Sequence, residues 1–163
     1  MSLDPDDEEL ILYTLAQRMA EVRWTRSDDA DPDTHRFITI SRRVRLFADV
    51  PTSEQPACFQ AEWATTEEQK TAMPYKTTIE ANWIIFQAIG KDKKAIGAIE
   101  NNLIIGGCRR ALAPKPTDPG FPYQRNTLDG LVHHCFISGR IFKDPGDIDD
   151  QGMIVIPIKL LVP

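Results

Sequence analysis

The sequence predicts an α+β domain built as a central, mostly antiparallel β-sheet flanked by two main helices. Three observations carry that prediction. Apolar residues recur at helical spacing in only two stretches, near residues 11–22 and 96–103. Runs rich in β-branched and aromatic residues occur at 57–65 and 76–89, separated by a polar segment. From Thr127 onward, two further β-rich runs at 131–142 and 153–162 flank an Asp/Gly/Pro loop, the pattern of a hairpin. A hairpin so apolar needs cover on both faces, and two helices are too few to supply it. The expectation is a subunit that completes its core or its function against other chains.

The first helix begins with Asp4 as N-cap and Pro5 at its first position, followed by acids favoured by the unpaired amides and the macrodipole. Ile11, Leu15, Met19 and Val22 share a face with Leu12 beside them, Arg18 and Arg23 sit towards the end, and the helix is expected to stop near Trp24. Residues 25–35 form a polar, Asp-rich loop. Residues 37–50 mix β-branched residues with Arg42, Arg43 and Arg45 and read as extended and partly exposed, and Pro51 and Pro56 bracket a turn. The runs at 57–65 and 76–89 then make a long antiparallel hairpin around residues 66–74. Ile79, Ala81, Trp83 and Ile85 line one face of its second strand, with Ile84 and Phe86 on the other, so that strand needs cover on both sides.

Gly90 breaks the strand, and Asp92 caps a second helix over about 93–112 with Ile96, Ile99 and Leu103 on its apolar stripe. Gly97, Gly106 and Gly107 are costly there, about 1 kcal/mol each against Ala. The pair at 106–107 predicts either a kink or a neighbouring backbone packed close. Residues 113–126, with Pro114, Pro116, Pro119 and Pro122, are too stiff and broken for regular structure. No repeat and no interdomain linker interrupts residues 1–163, which read as a single domain.

Composition narrows the function classes. The chain is 42% hydrophobic and 26% charged with a formal charge of −5, ordinary for a soluble globular protein and wrong for wrapping nucleic acid. No apolar run suits a bilayer, and the acidic start lacks the pattern of a signal peptide. Cys58, Cys108 and Cys135 are isolated, odd in number and mostly in apolar contexts, which reads as buried, reduced thiols in a cytosolic protein.

Candidate chemistry is sparse. His133, His134 and Cys135 resemble a metal site, but neighbours on a strand point to opposite faces and no second ligand pair follows at zinc-type spacing. Asp144, Asp147, Asp149 and Asp150 resemble a calcium loop without its residue order or its terminal Glu, so they read as a solvated turn. Arg42, Arg43 and Arg45 lack interleaved aromatics, and salt bridges within the subunit or to an acidic neighbour fit them better than phosphates do. No nucleophile elbow, Cys–His arrangement or phosphate loop appears. The expectation is no enzyme, no cofactor and no bound metal, with the three tryptophans (Trp24, Trp63, Trp83) as core or interface anchors.

Two stretches resemble one family. FITISRRVRLFADVPTSEQPACF at 37–59 is similar to the entry segment of bacteriophage tail terminator (tail completion) proteins, with its Ser-Arg-Arg segment and its Asp-Val … Gln-Pro-Ala turn into the first long strand. TLDGLVHHCFISGRIFKDPGDIDDQGMIVIPIKLLV at 127–162 resembles the closing hairpin of the same family. The doubled glycine in the second helix departs from the smooth amphipathic run that the family leads one to expect. The resemblance implies a structural virion protein whose subunits form a hexameric ring at the head-proximal end of a tail tube. Such a ring ends tube polymerisation and offers a docking surface to the neck or head-completion protein. DNA passes through its lumen without sequence-specific binding, and no membrane is involved. The location implied is the tail–neck junction of the virion, with host cytoplasm during assembly.

On that reading the candidate surfaces towards sister subunits, tail tube protein and neck are Arg42, Arg43 and Arg45, the hairpin-loop residues Glu67, Glu68 and Lys70, and the acidic residues Asp144, Asp147, Asp149 and Asp150. Two alternatives stand beside it. One is a neck or head-completion ring subunit; the other is a small intracellular nucleic-acid-binding module or enzyme using the three arginines.

Overall fold

The computed structural model describes residues 5–68, 77–88, 96–116 and 125–162. It is an α+β fold with a mixed six-stranded sheet and two helices. The expected caps at Asp4 and Asp92, the break at Gly90, the prolines Pro119 and Pro122, and Lys70 lie outside the described residues.

Helix α1 (Pro5–Met19) turns Ile11, Leu12, Leu15 and Met19 into the core, as its spacing predicts. It stops short of Trp24. The amides of Ala20, Glu21 and Val22 bond three residues back, and Arg23 folds its guanidinium onto the carbonyls of Ala20 and Val22. Trp24 instead exchanges two backbone hydrogen bonds with His35 across the Asp-rich loop.

Most of 37–50 is not a strand. Only β1 (Thr39–Ser41) pairs, parallel to the start of β2 (Ala57–Glu67), and the chain then bends into short 3₁₀ turns at Phe47–Asp49 and Thr52–Glu54. Local polar bonds compete with extension here: Ser41 Oγ accepts from the Arg43 amide, and Arg45 reaches the carbonyl of Asp49. Strands β2 and β3 (Thr77–Ala88) form the expected antiparallel hairpin, with a register shift between Glu62 and Ala64.

Helix α2 (Gly97–Ala111) starts later than 93, because Ile96 is extended and acts as an N-cap without a side-chain bond. Its buried face is also not the expected one. Ile96 and Ile99 are exposed, while Gly97, Asn101, Ile104, Ile105, Cys108 and Ala111 face inward. The helix runs through Gly106–Gly107 unbroken, so the close backbone, not the kink, accounts for the pair. A Cβ on Gly107 would meet the Arg23 carbonyl.

The run 131–142 is split. Strands β4 (His134–Ile137) and β5 (Phe142–Asp144) both pair antiparallel with β6 (Gln151–Val162), separated by a bend in which Gly139 has φ +106. Strand β6 lies between β3 and the β4/β5 edge, giving the order β1-β2-β3-β6-β4 with only the β1–β2 pair parallel.

Register and burial sort the sheet into two faces. Cys58, Gln60, Ile79, Ala81, Trp83, Ile85, Ile154, Ile156, Ile158, Leu160 and Cys135 form the face under α1 and α2 and carry the main core. Among the described residues, the second face is covered at one end only. There Phe47 and Val50 pack on Ala57, Phe59, Phe86, Ile84 and Met153. Beyond them Glu80, Asn82, Val155, Pro157, Lys159 and Leu161 remain half-buried. Among the described residues no helix is long and apolar enough to cross a membrane.

Candidate functional site

The sequence-predicted surfaces occupy three separate places on the sheet. Register puts Glu67 opposite Thr77 and Val162 at one end, and puts Asp144 opposite Met153, in the row of Phe86 and Ala57, near the other. Arg42, Arg43 and Arg45 follow β1 along the first edge.

The arginines differ sharply. Arg42 binds Glu9 of α1 with both terminal nitrogens and donates from Nε to Glu62 of β2 at 2.7 Å. The hydrogen bond to Glu9 raises its pKa and holds the Glu9 carboxyl below its usual range. Arg45 pairs with Glu54 at 2.8 Å. Both therefore fasten the segment to the subunit, as salt bridges within the chain. Arg43 is exposed.

The acidic loop is a tight turn. Asp144 Oδ1 accepts from the Gly146 amide at 2.9 Å, Asp150 donates to the Gly146 carbonyl, and Gly146 itself has φ +75. Asp147, Asp149 and Asp150 are exposed. Among the described residues no group of three His, Cys, Asp or Glu side chains is arranged to hold a metal ion.

His134 and Cys135 are neighbours on β4 and alternate as a strand requires, while His133 precedes the strand. Cys135 points into the core, and Arg125 lies 2.9 Å from His133 Nε2. His134 stacks on Phe136 at 4.7 Å, with a buried Nδ1 that has no hydrogen-bond partner among the described residues. Burial first, then the charges of Arg125 and His133, hold its imidazole below the usual pKa.

One feature left no trace in the sequence, and one of the three tryptophans expected as core or interface anchors lies outside the core. An open cleft of about 270 Å³ lies between the C-terminal end of α2 and β4, lined by Arg109, Leu112, Pro114, His134, Phe136 and Ile137 among others. Trp63, in contrast to the fully buried Trp24 and Trp83, is 74% exposed. The slip in apolar alternation at Glu62–Trp63–Ala64 was the only sequence sign of the latter. The cleft joins residues far apart in the chain and left no local sign.

No family model matches the chain, and no curated protein matches it significantly.

Proposed function

We propose that this protein is a structural ring subunit of the tail-terminator kind, closing the head-proximal end of a phage tail tube and presenting a docking surface to the neck. The observation that carries the reading is the half-covered sheet. Helices pack on one face, and over much of the other Glu80, Asn82, Val155, Pro157, Lys159 and Leu161 stay half-exposed, an arrangement suited to completion by neighbouring subunits. The similarity of 37–59 and 127–162 to that family supports the same reading.

The binding-module alternative loses support from the arginines. Arg42 and Arg45 already hold Glu9, Glu62 and Glu54, so two of the three cations are engaged before any phosphate arrives. Contact with tube and neck falls instead to exposed Arg43, to Glu67 and Glu68, and to the turn at Asp147, Asp149 and Asp150, where charge sets register and encounter more than affinity.

Light scattering of the purified chain over a concentration series, with negative-stain imaging of the same fractions, tests the reading. Six-fold rings, in solution or on added tail tubes, are the expected result. A monomer that binds duplex DNA with a steep salt dependence and never forms or caps a ring overturns it.

A further inference from the structure

We infer that Trp63 of one subunit seats in the cleft between α2 and β4 of a second copy, forming a head-to-tail contact. This deepens the ring reading and rests on it.

Trp63 is built as a knob. The register shift between Glu62 and Ala64 leaves it without a partner on β3 and turns it to solvent, the usual effect of a bulge. Among the described residues strand β1 covers β2 only over Ala57 to Phe59, so at Trp63 β2 is itself the edge of the described sheet. A large exposed aromatic on an unpaired edge favours aggregation unless something receives it, and aromatic anchors dominate interface energetics.

The cleft is built as a socket. Its volume of about 270 Å³ falls below that of sites for drug-sized ligands, roughly 300–1,000 Å³, and suits one large side chain. Leu112, Pro114 and Ile137 supply apolar walls, the stacked His134–Phe136 pair supplies an aromatic one, and Arg109 supplies a cation for the indole face.

Charge and position agree. Glu8, Glu9, Glu62 and Glu67 surround the knob's strand, and Arg42 answers two of these acids with one charge. The described lining of the socket includes Arg109 and no acid, and Arg125 contacts His133 next to it. Ala64, Glu80, Lys159 and Phe136 form one lateral row across the sheet. Knob and socket therefore stand at the same level on opposite edges. A sideways step from copy to copy joins them with no lengthwise slide. Because the two surfaces differ, the contact is heterologous, and its repetition closes a ring when the rotation per step divides the circle.

The test uses the full chain. Trp63→Ala and Arg109→Glu alter exposed positions, and circular dichroism with thermal melting checks that each variant folds. Wild type is expected to gain mass with concentration while iodide loses access to Trp63, the exposed one of the three indoles. Each variant alone should associate at least about thirtyfold more weakly, the scale of a truncated aromatic anchor. Mixed in equal amounts, the two should form dimers and nothing larger, since each retains one intact surface. Wild-type-like assembly by Trp63→Ala overturns the inference and leaves the ring reading to another face. A wild-type chain that stays monomeric at every concentration also overturns it, whereas capping of tail tubes tests the ring reading separately.

Discussion

A Cβ placed on Gly107 would lie 2.6 Å from the carbonyl oxygen of Arg23, closer than real side chains approach a backbone. The turn after α1 is thus seated directly on α2, and Arg110 reinforces the seat by donating to the same carbonyl at 2.9 Å. Gly107→Ala must push the two backbones apart, at a cost of about 1–3 kcal/mol for overpacking against a propensity gain of about 1 kcal/mol. Gly106 is the control. Its nearest neighbour is Arg110 Nη1 at 3.5 Å, an ordinary contact, so Gly106→Ala should stabilise by about 0.5–1 kcal/mol. Urea melts of the two variants should move in opposite directions; a shared direction would mean that the close approach does not constrain the helix.

The glycine pair also marks how much of the fold could be read in advance. The sequence posed a choice between a kink and a close backbone, and only the position of Arg23 decided it. The inward face of α1 and the β2–β3 hairpin were legible because their apolar periods are clean. The face of α2 was not. Its isoleucines at 96 and 99 suggested one apolar stripe, but the buried face runs through Gly97, Asn101, Ile104, Ile105 and Cys108, where small and polar residues between the isoleucines hide the apolar period. Arg42 announced itself as a charge seeking a partner, yet its partners lie on α1 and on β2, separations that no local pattern encodes. For the same reason Trp63 and its proposed socket were invisible as a pair.

Gln60 links two layers through a buried relay. Trp83 Nε1 donates to Gln60 Oε1 at 3.2 Å, and Gln60 Nε2 donates to the Leu12 carbonyl at 3.0 Å. Gln60→Leu keeps the volume but strands the indole N–H in the core, at a cost of about 1–3 kcal/mol. In a Trp83→Phe background the donor is gone, so the same substitution should cost about 1 kcal/mol less. A double-mutant cycle by urea denaturation measures the difference, and strict additivity would deny the relay.

Cys58, Cys108 and Cys135 are free and buried. Burial pushes all three thiols up, Cys108 and Cys135 to about 12 and Cys58 well above its usual 9.0. The thiolate is the reactive form, so at neutral pH the folded protein should resist iodoacetamide and react at all three sites only after unfolding. Mass spectrometry of pulse-labelled samples along a urea series should give a labelling curve that tracks the unfolding curve. Early loss of protection at Cys135 alone would reveal local opening of β4 beside the cleft.

Glu100 holds the Asp-rich loop to the start of α2. It accepts from Trp24 Nε1 at 3.0 Å and from Arg26 Nη2 at 2.8 Å, while Asp28 and Asp29 also face Arg26. Burial alone would raise its pKa, but the hydrogen bonds from Arg26 and Trp24 outweigh it, and the carboxyl sits below its usual 4.5. A pKa depressed by folding gives stability that is present above the unfolded value and is lost as the pH falls through the folded one. Glu100→Gln should therefore cost about 1.5–3 kcal/mol at pH 7, the range for hydrogen bonds to charged groups. Other acids titrate in both proteins and cancel in the difference. The gap between wild type and variant should hold from pH 7 to about pH 5, narrow below that, and close once the folded carboxyl is protonated. A gap that stays constant down to pH 2 would assign the loss to altered geometry instead of charge. A gap that widens in acid would contradict the direction of the shift.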